Sequence, residues 1–395
     1  MIEEHFLNEY AYFGNRVYMD CSTMGMQPER TLKVAREYQD NFAKNLGELK
    51  VDHATIRRNC KERLSSLIHA DVEDIFFTAN TTQGNNLLTS GYPFKEGDEV
   101  ILGNSDFPAV WLPWAGKQRD GVKLVWVNNE NGIVDAEDFI EKITQRTKVI
   151  SISWAQSSSG YVTDLARLGK VCREKGIILA VDGIQAMGRL PMDVKKMEID
   201  VLASGSFKGM LGVMGAGFCY CRKEIMNKIK PPICSGNIKL DSIDAQDGFM
   251  SIGIPAFADR SARMETGTCN NYGYALMSES VGLLLDIGME RVAEQIRQLE
   301  MYYREKLKES ELDIKMLGSD DPNTWGGSIS FELEPVYKDR LEEALAQEQI
   351  YAAVRNYFRV SLHFYNTNED IDRLMDVLNR VLPHSGHINS DTENL

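Results

Sequence analysis

"GIILAVDGIQAMG" (Gly176–Gly188) contains five consecutive apolar residues, Ile177 to Val181, that stop at an aspartate followed by a glycine. An apolar run without polar alternation marks a strand covered on both faces, which is the environment of a parallel sheet. The same pattern recurs along the chain. "DIFFTA" (74–79), "DEVILG" (98–103), "KLVWV" (123–127), "KVISISWA" (148–155) and "DVLASGS" (200–206) are short runs rich in Val, Ile and Leu. Stretches with helical spacing separate several of them, such as "DAEDFIEKITQR" (135–146) and "LARLGKVCREKG" (165–176). Strands joined by helices predict an α/β fold, a large three-layer domain over 15–260 with a mostly parallel sheet between helices. From about residue 270 long helical segments take over, followed by "GGSISFEL" (326–333), "YFRVSLHFYN" (357–366) and a closing helix at 368–382. That order predicts a smaller α+β domain over 261–383, with residues 1–14 packed on it and a flexible tail at 384–395.

Composition narrows the function. The 395 residues are 43% hydrophobic and 26% charged, with a formal net charge of −14. Such acidity disfavours nucleic acid and anionic membranes as partners, because phosphates need a basic face. No apolar run approaches the roughly 20 residues of a membrane helix. The start, "MIEEHFLNEYAYFG", lacks the order of a secretory signal. Seven scattered cysteines (21, 60, 172, 219, 221, 234, 269) fit reduced thiols in a cytoplasm better than a disulfide framework. Cys219 and Cys221 share one face of a strand and read as core rather than metal ligands.

In an open α/β sheet, ligands bind beyond the carboxyl ends of the strands, and four groups fall at such ends. Asn80, Thr81 and Thr82 open a helix after "DIFFTA"; its free N–H groups and dipole suit a phosphate, although an ordinary N-cap would look the same. Asp182 is a carboxylate in apolar surroundings, so its ionised form needs a cationic partner such as a protonated pyridine nitrogen. Capping the following turn is the alternative. Gln185 follows three residues later, within reach of a neighbouring ring substituent. Lys208 stands after another apolar strand, among Gly205, Gly209, Gly212, Gly215 and Gly217. A partly desolvated lysine becomes a nucleophilic amine of the kind a Schiff base requires. Arg359, in an alternating strand pattern, offers a two-pronged clamp for a carboxylate, or is a plain surface arginine. In that chain order, the four groups compose a site for pyridoxal 5′-phosphate (PLP) and a small α-amino acid.

The motifs resemble the class V aminotransferase family of fold-type I PLP enzymes, which includes cysteine desulfurases, kynureninases and isopenicillin-N-epimerase-like proteins. The likeness spans roughly residues 15 to 383. "VYMDCSTMGMQP" is similar to the family's opening block, "FTANTTQGNN" to its phosphate segment, and "VDGIQAMG" to its "VDGAQxxG" block. "SGSFKGMLGVMGAGFCY" resembles the lysine block, "RMETGTCN" the "RFExGTxN" block, and "RVSLHFYNTNEDIDRL" the substrate-arginine block. The resemblance implies that Thr81 and Thr82 hold the phosphate, Asp182 the ring nitrogen, Gln185 the ring hydroxyl, and Lys208 the aldehyde. It implies that Arg359 binds the substrate carboxylate and that Thr268 reaches the phosphate of a neighbouring subunit's cofactor, hence a homodimer.

Departures bear on the reaction. Where desulfurases stack a histidine on the ring, this chain reads "NSDFP", and Phe107 is the expected stacking residue. Ser157 stands where desulfurases often carry asparagine, and Ser206 is expected as a further phosphate contact. Only "VRNYF" precedes Arg359, without the cysteine of the desulfurases' loop. The expected activity is therefore a lyase or epimerase that removes the Cα proton with Lys208; an aminotransferase using the same site is the alternative, and a non-catalytic scaffold a more distant one. Met24, Trp111 and "NIKLDSIDAQDGFMSIG" (237–253) are candidates for lining the side-chain pocket.

Overall fold

The structure is a computed structural model that describes residues 2–44, 52–233, 256–265 and 267–384. Cys234 and the 237–253 segment lie outside the described residues.

A sheet of seven strands forms the centre. Its members are β2 (Ile75–Thr78), β3 (Glu99–Gly103), β4 (Lys123–Val127), β5 (Thr147–Ser153), β6 (Ile178–Asp182), β7 (Val201–Gly205) and β8 (Gly217–Cys221); β1 (Val17–Tyr18) pairs elsewhere. Their order is β2-β8-β7-β6-β5-β3-β4. The β4-β3-β5-β6-β7 pairings are all parallel, whereas β8 runs against both β7 and β2. All five residues of β7 and of β8 are buried, Cys219 and Cys221 included, so both thiols serve the core. Parallel register sets Ser153, Asp182 and Ala203 side by side, which gathers the carboxyl ends of β5, β6 and β7 at one rim.

Behind β2 the chain turns at once into helix Thr81–Gly91, which Asn80 caps by accepting the Gln83 amide at 2.9 Å. Gly84 lets this helix lie directly on the sheet: a Cβ there would stand 2.5 Å from the Ala203 Cβ. The helix head is thereby held at the same rim.

A second core forms around the four-stranded order β12-β13-β10-β9, made of β9 (Met316–Leu317), β10 (Ser328–Glu332), β12 (Ala353–Val354) and β13 (Tyr357–Ser361). Tyr303, Phe331, Leu341, Phe358 and Leu374 fill it, and Val17 and Met19 reach it beside the pairing of β1 with β11 (Ile350–Tyr351).

Beyond the expected boundary at 260/261, helices serve both cores. Helix Asn271–Ile287 buries Tyr274, Met277, Val281 and Leu284 in the large core, where Tyr274 stacks on Phe77 at 3.9 Å. The chain breaks helix at Gly288, φ +90°, and helix Met289–Glu309 crosses over, with Val292 and Ile296 in the first core and Leu299 and Tyr303 in the second. Burial, not the onset of helical spacing, decides the division. Ile2, Phe6 and Tyr10 likewise join the large core, where Phe364 and Tyr365 meet them. His384 bonds the Ser310 and Asn379 carbonyls and so does not belong to a free tail; 385–395 lie outside the described residues. Among the described residues, no helix is long and apolar enough to cross a membrane.

Candidate active site

Lys208 sits on a turn that follows β7 and is fixed from several directions. The Leu211 amide donates to the Lys208 carbonyl at 2.8 Å, and Gly212 donates to Ser206 at 2.8 Å. Leu211 takes φ +60° to close the turn. From the N-terminal segment, the Gly25 amide donates to the Phe207 carbonyl at 2.8 Å; a Cβ at Gly25 would lie 2.1 Å from the Lys208 carbonyl oxygen, so this approach demands glycine. Burial lowers the Lys208 pKa to about 8, the Asp182 charge opposes that shift, and the Arg359 charge adds to it. An amine so placed gives up its proton far more readily than a solvated lysine and can act as nucleophile or base. Its Nζ lies 6.0 Å from the Phe107 ring centroid and 5.7 Å from that of Phe207.

Asp182 ends β6 and is buried. Its Oδ1 accepts the Ile184 amide at 3.0 Å and its Oδ2 accepts the Asn85 side-chain amide at 2.9 Å. Burial raises its pKa, and those donors with the Lys208 charge only partly offset the shift. Gln185 is buried nearby, with Nε2 3.4 Å from the Ser22 carbonyl and Oε1 lacking any partner. Thr81 pins the cradle helix to the sheet by accepting the Gly205 amide at 2.9 Å. Among the described residues, no protein acceptor takes the amides of Thr81 and Thr82, the orphan donors of a helix start. Asn80 and Thr82 are exposed at that head.

Arg359 is not a surface arginine. It is 2% exposed on β13, between β12 and β10. Nη1 donates to the Ser157 carbonyl at 2.8 Å, and Nη2 donates to Thr23 Oγ1 at 3.0 Å and Asp20 Oδ1 at 3.2 Å. Its Nε is buried without a partner, which leaves the guanidinium a donor to spare.

Other expected residues fall differently. Ser157 meets Arg359 through its backbone. Ser206 does not face a phosphate: it is completely buried, and its hydroxyl donates towards the Ala216 and Val213 carbonyls at 2.8 and 3.0 Å and accepts the Val213 amide. The turn itself consumes that hydroxyl. Phe107 is 56% exposed at the start of helix Pro108–Lys117. Thr268 is exposed and lines a cleft of about 450 Å³ with Ala79 and Gln83, beside the cradle helix. Trp111 packs towards Trp126 at 6.1 Å, while Met24 is 40% exposed. Sequence reading missed Asn85, Asp20 and Thr23. Asn85, one helical turn after Thr81, carried a periodic signal; the partners of Arg359 carried none.

The aminotransferase class-V family model matches residues 17–374. The chain belongs to that family. Among curated relatives of this class-V chain, a probable cysteine desulfurase of Methanothermobacter thermautotrophicus is 26% identical, over 93% of this chain and 95% of that protein. A probable cysteine desulfurase of Borreliella burgdorferi is 27% identical over 97% and 94% of the two chains. The fold matches that of a cysteine desulfurase from Thermococcus onnurineus, in its apo form, with a TM-score of 0.86 at 22% identity, covering 97% of this chain and 98% of that one. It also matches the cystine C–S lyase C-DES in complex with its reaction product cysteine persulfide, with a TM-score of 0.84 at 21% identity, covering 95% and 100%.

The cofactor of the family is PLP, and the residues of this class-V enzyme fit it. A buried carboxyl short of a cation, an unpartnered Gln185 Oε1, unclaimed helix-head amides and a depressed lysine amine are what its ring nitrogen, ring hydroxyl, phosphate and aldehyde require. When bound, PLP supplies an electron sink for the charge left as a bond to the amino acid's Cα breaks.

Proposed function

We propose that this class-V enzyme is a lyase that cleaves the Cβ–S bond of a small sulfur-bearing α-amino acid of the cysteine or cystine type. The observation that carries this reading is the hairpin ahead of the arginine. β12 passes to β13 through Arg355 and Asn356 alone, closed by the Arg355 amide on Tyr357 at 2.9 Å, so no thiol stands there to take sulfur from the substrate. Cys21, next to Asp20, is completely buried, and burial pushes its thiol pKa up to about 11. Sulfur therefore leaves with the product, the outcome named for the C–S lyase that shares the fold.

In this reading Asp182, Gln185 and the cradle at Asn80, Thr81 and Thr82 hold the cofactor, with Phe107 on its face. Arg359 binds the substrate carboxylate, and Asp20, Thr23 and Ser157 set its plane. The Cα proton passes to Lys208 Nζ. The electron pair of the Cβ–S bond departs with sulfur as a thiolate or persulfide, which takes up a proton, and the three-carbon remainder adds water and ends as a 2-oxo acid and ammonia. Proton transfer by a positioned lysine contributes on the order of 10²- to 10⁴-fold. Phe107 has no proton to return from the opposite face, which favours elimination over epimerisation. We further place the enzyme in a cytoplasm as a homodimer whose exposed Thr268 completes the partner's phosphate site, and assign cofactor binding to the large unit and the carboxylate clamp to the small one.

Cysteine, cystine and alanine offered in deuterated water test the reading. Pyruvate, ammonia and released sulfide or persulfide in equal amounts are expected from cyst(e)ine, and Cys269→Ser retains this release. Deuterium at Cα of otherwise intact amino acid, or a stable aminated cofactor that a keto acid reverses, refutes elimination in favour of epimerisation or transamination.

A further inference from the structure

His363 lies two residues past β13 and four after Arg359, completely buried. Both ring nitrogens are engaged. Nδ1 accepts the Phe364 amide at 2.9 Å, which leaves the proton on Nε2, and Nε2 meets the Gly209 carbonyl at 3.0 Å. The ring therefore donates to the carbonyl of Gly209, the residue directly after Lys208. Among the described residues no backbone amide donates to that carbonyl. It is enclosed, since a Cβ on Gly188 would stand 2.2 Å from it. A buried carbonyl without a donor forfeits a hydrogen bond's worth of stability, so the turn holds this position only while the imidazole is there. Tyr365 lies flat against the ring at 5.1 Å and 10°. Burial, with the charge of Arg189 adding to it, takes the His363 pKa down to about 3, so the ring stays neutral and keeps its tautomer.

We propose that His363 is a positioning residue that couples the strand bearing Arg359 to the turn bearing Lys208; the coupling rests on the roles given to those two residues above. Among the described residues, the other hydrogen bonds that hold the turn come from its own backbone, from the Ser206 hydroxyl and from Gly25. His363 alone among them shares a chain segment with Arg359. Five residues and one hydrogen bond then set the separation between carboxylate clamp and amine. Any looseness in that bond misplaces Nζ against Cα of the substrate and lets water reach the amine.

The test measures Lys208 directly in the cofactor-free enzyme. Acylation of its amine is followed by peptide mass spectrometry against pH, and the parent midpoint is expected near 8. His363→Phe keeps the ring and its stacking but removes the donor; its midpoint is expected to rise by about 1 unit towards the ~10.4 of a solvated lysine. His363→Gln, whose amide can still reach Gly209, keeps the parent midpoint. The charged and titratable groups around the amine, Asp182, Cys21, Arg355 and Arg359, are unchanged in both variants. With PLP bound, the Phe variant loses about tenfold in kcat, the signature of a misplaced proton acceptor, while KM for the amino acid holds because Arg359 keeps its partners. A folded Phe variant with an unshifted midpoint overturns the proposal. If that variant does not fold, the Gln variant decides: a displaced midpoint overturns it and a parental one supports it. Should neither parent nor variants turn yellow with PLP, the functional reading fails while the midpoint comparison still stands.

Discussion

Gly84→Ala measures how closely the phosphate cradle depends on sheet packing. The added Cβ would lie 2.5 Å from the Ala203 Cβ and 3.5 Å from the Cys219 Cβ. Carbon contacts settle near 3.5–4.0 Å, so the helix must withdraw by about 1 Å. Ala203 and Cys219 are fully buried in adjacent strands and have no room to yield. Overpacking of this kind costs about 1–3 kcal/mol, and the better helix propensity of alanine returns about 1 kcal/mol, so the net loss is up to about 2 kcal/mol. Gly116→Ala is the control: nothing lies within 4 Å of its added Cβ, and it should gain up to about 1 kcal/mol from propensity. The same 1 Å withdrawal carries the Thr81 and Thr82 amides away from a bound phosphate. Losing one hydrogen bond to a charged group, worth about 1.5–3 kcal/mol, weakens PLP at least tenfold. Denaturant unfolding gives the stability difference, and absorbance titration of the cofactor-free enzyme gives the affinity. If Gly84→Ala is as stabilising as Gly116→Ala and binds PLP within twofold of the parent, the cradle is not held by this contact.

Three further outcomes follow from the same geometry. Asp182→Asn should keep the cofactor-free enzyme folded, because a neutral amide suits a buried site, yet lower kcat by at least about 100-fold with PLP, because nothing then keeps the ring nitrogen protonated; calorimetry and steady-state kinetics separate the two effects. Arg359→Lys replaces a planar fork by a point charge and should raise KM for the amino acid roughly 10- to 100-fold, equivalent to about 1.4–2.8 kcal/mol, with a smaller change in kcat. The rate of PLP capture by the cofactor-free enzyme should climb with pH as Lys208 loses its proton, pass its midpoint near 8 and level off above; stopped-flow absorbance reads it, and a midpoint near the ~10.4 of free lysine contradicts the burial of the amine.

Candidate groups were legible where they sit at the end of an apolar run. Asp182 after "IILAV" and Lys208 after "VLASGSF" stand out because a charge beside a buried strand has a desolvation cost that only function or a partner offsets. Asn80 to Thr82 were legible as a helix start, since capping is a local affair within one turn. Ser206 was misjudged because it lies beside Lys208 in sequence, whereas its hydroxyl is claimed by Val213 and Ala216 across the turn. The core that covers Asn271–Ile287 was not legible, because helical spacing says that a face is apolar, not what packs against it.

The order of strands and helices, the apolar faces and the identity of the reactive groups are properties of the linear chain, because hydrogen-bonding periodicity and desolvation act over a few residues. Which of those groups meet was settled only by packing. Arg359 finds Asp20 across 339 positions, and His363 finds Gly209 across 154. Contacts at such separation depend on how two cores seat against each other, and no local pattern records that.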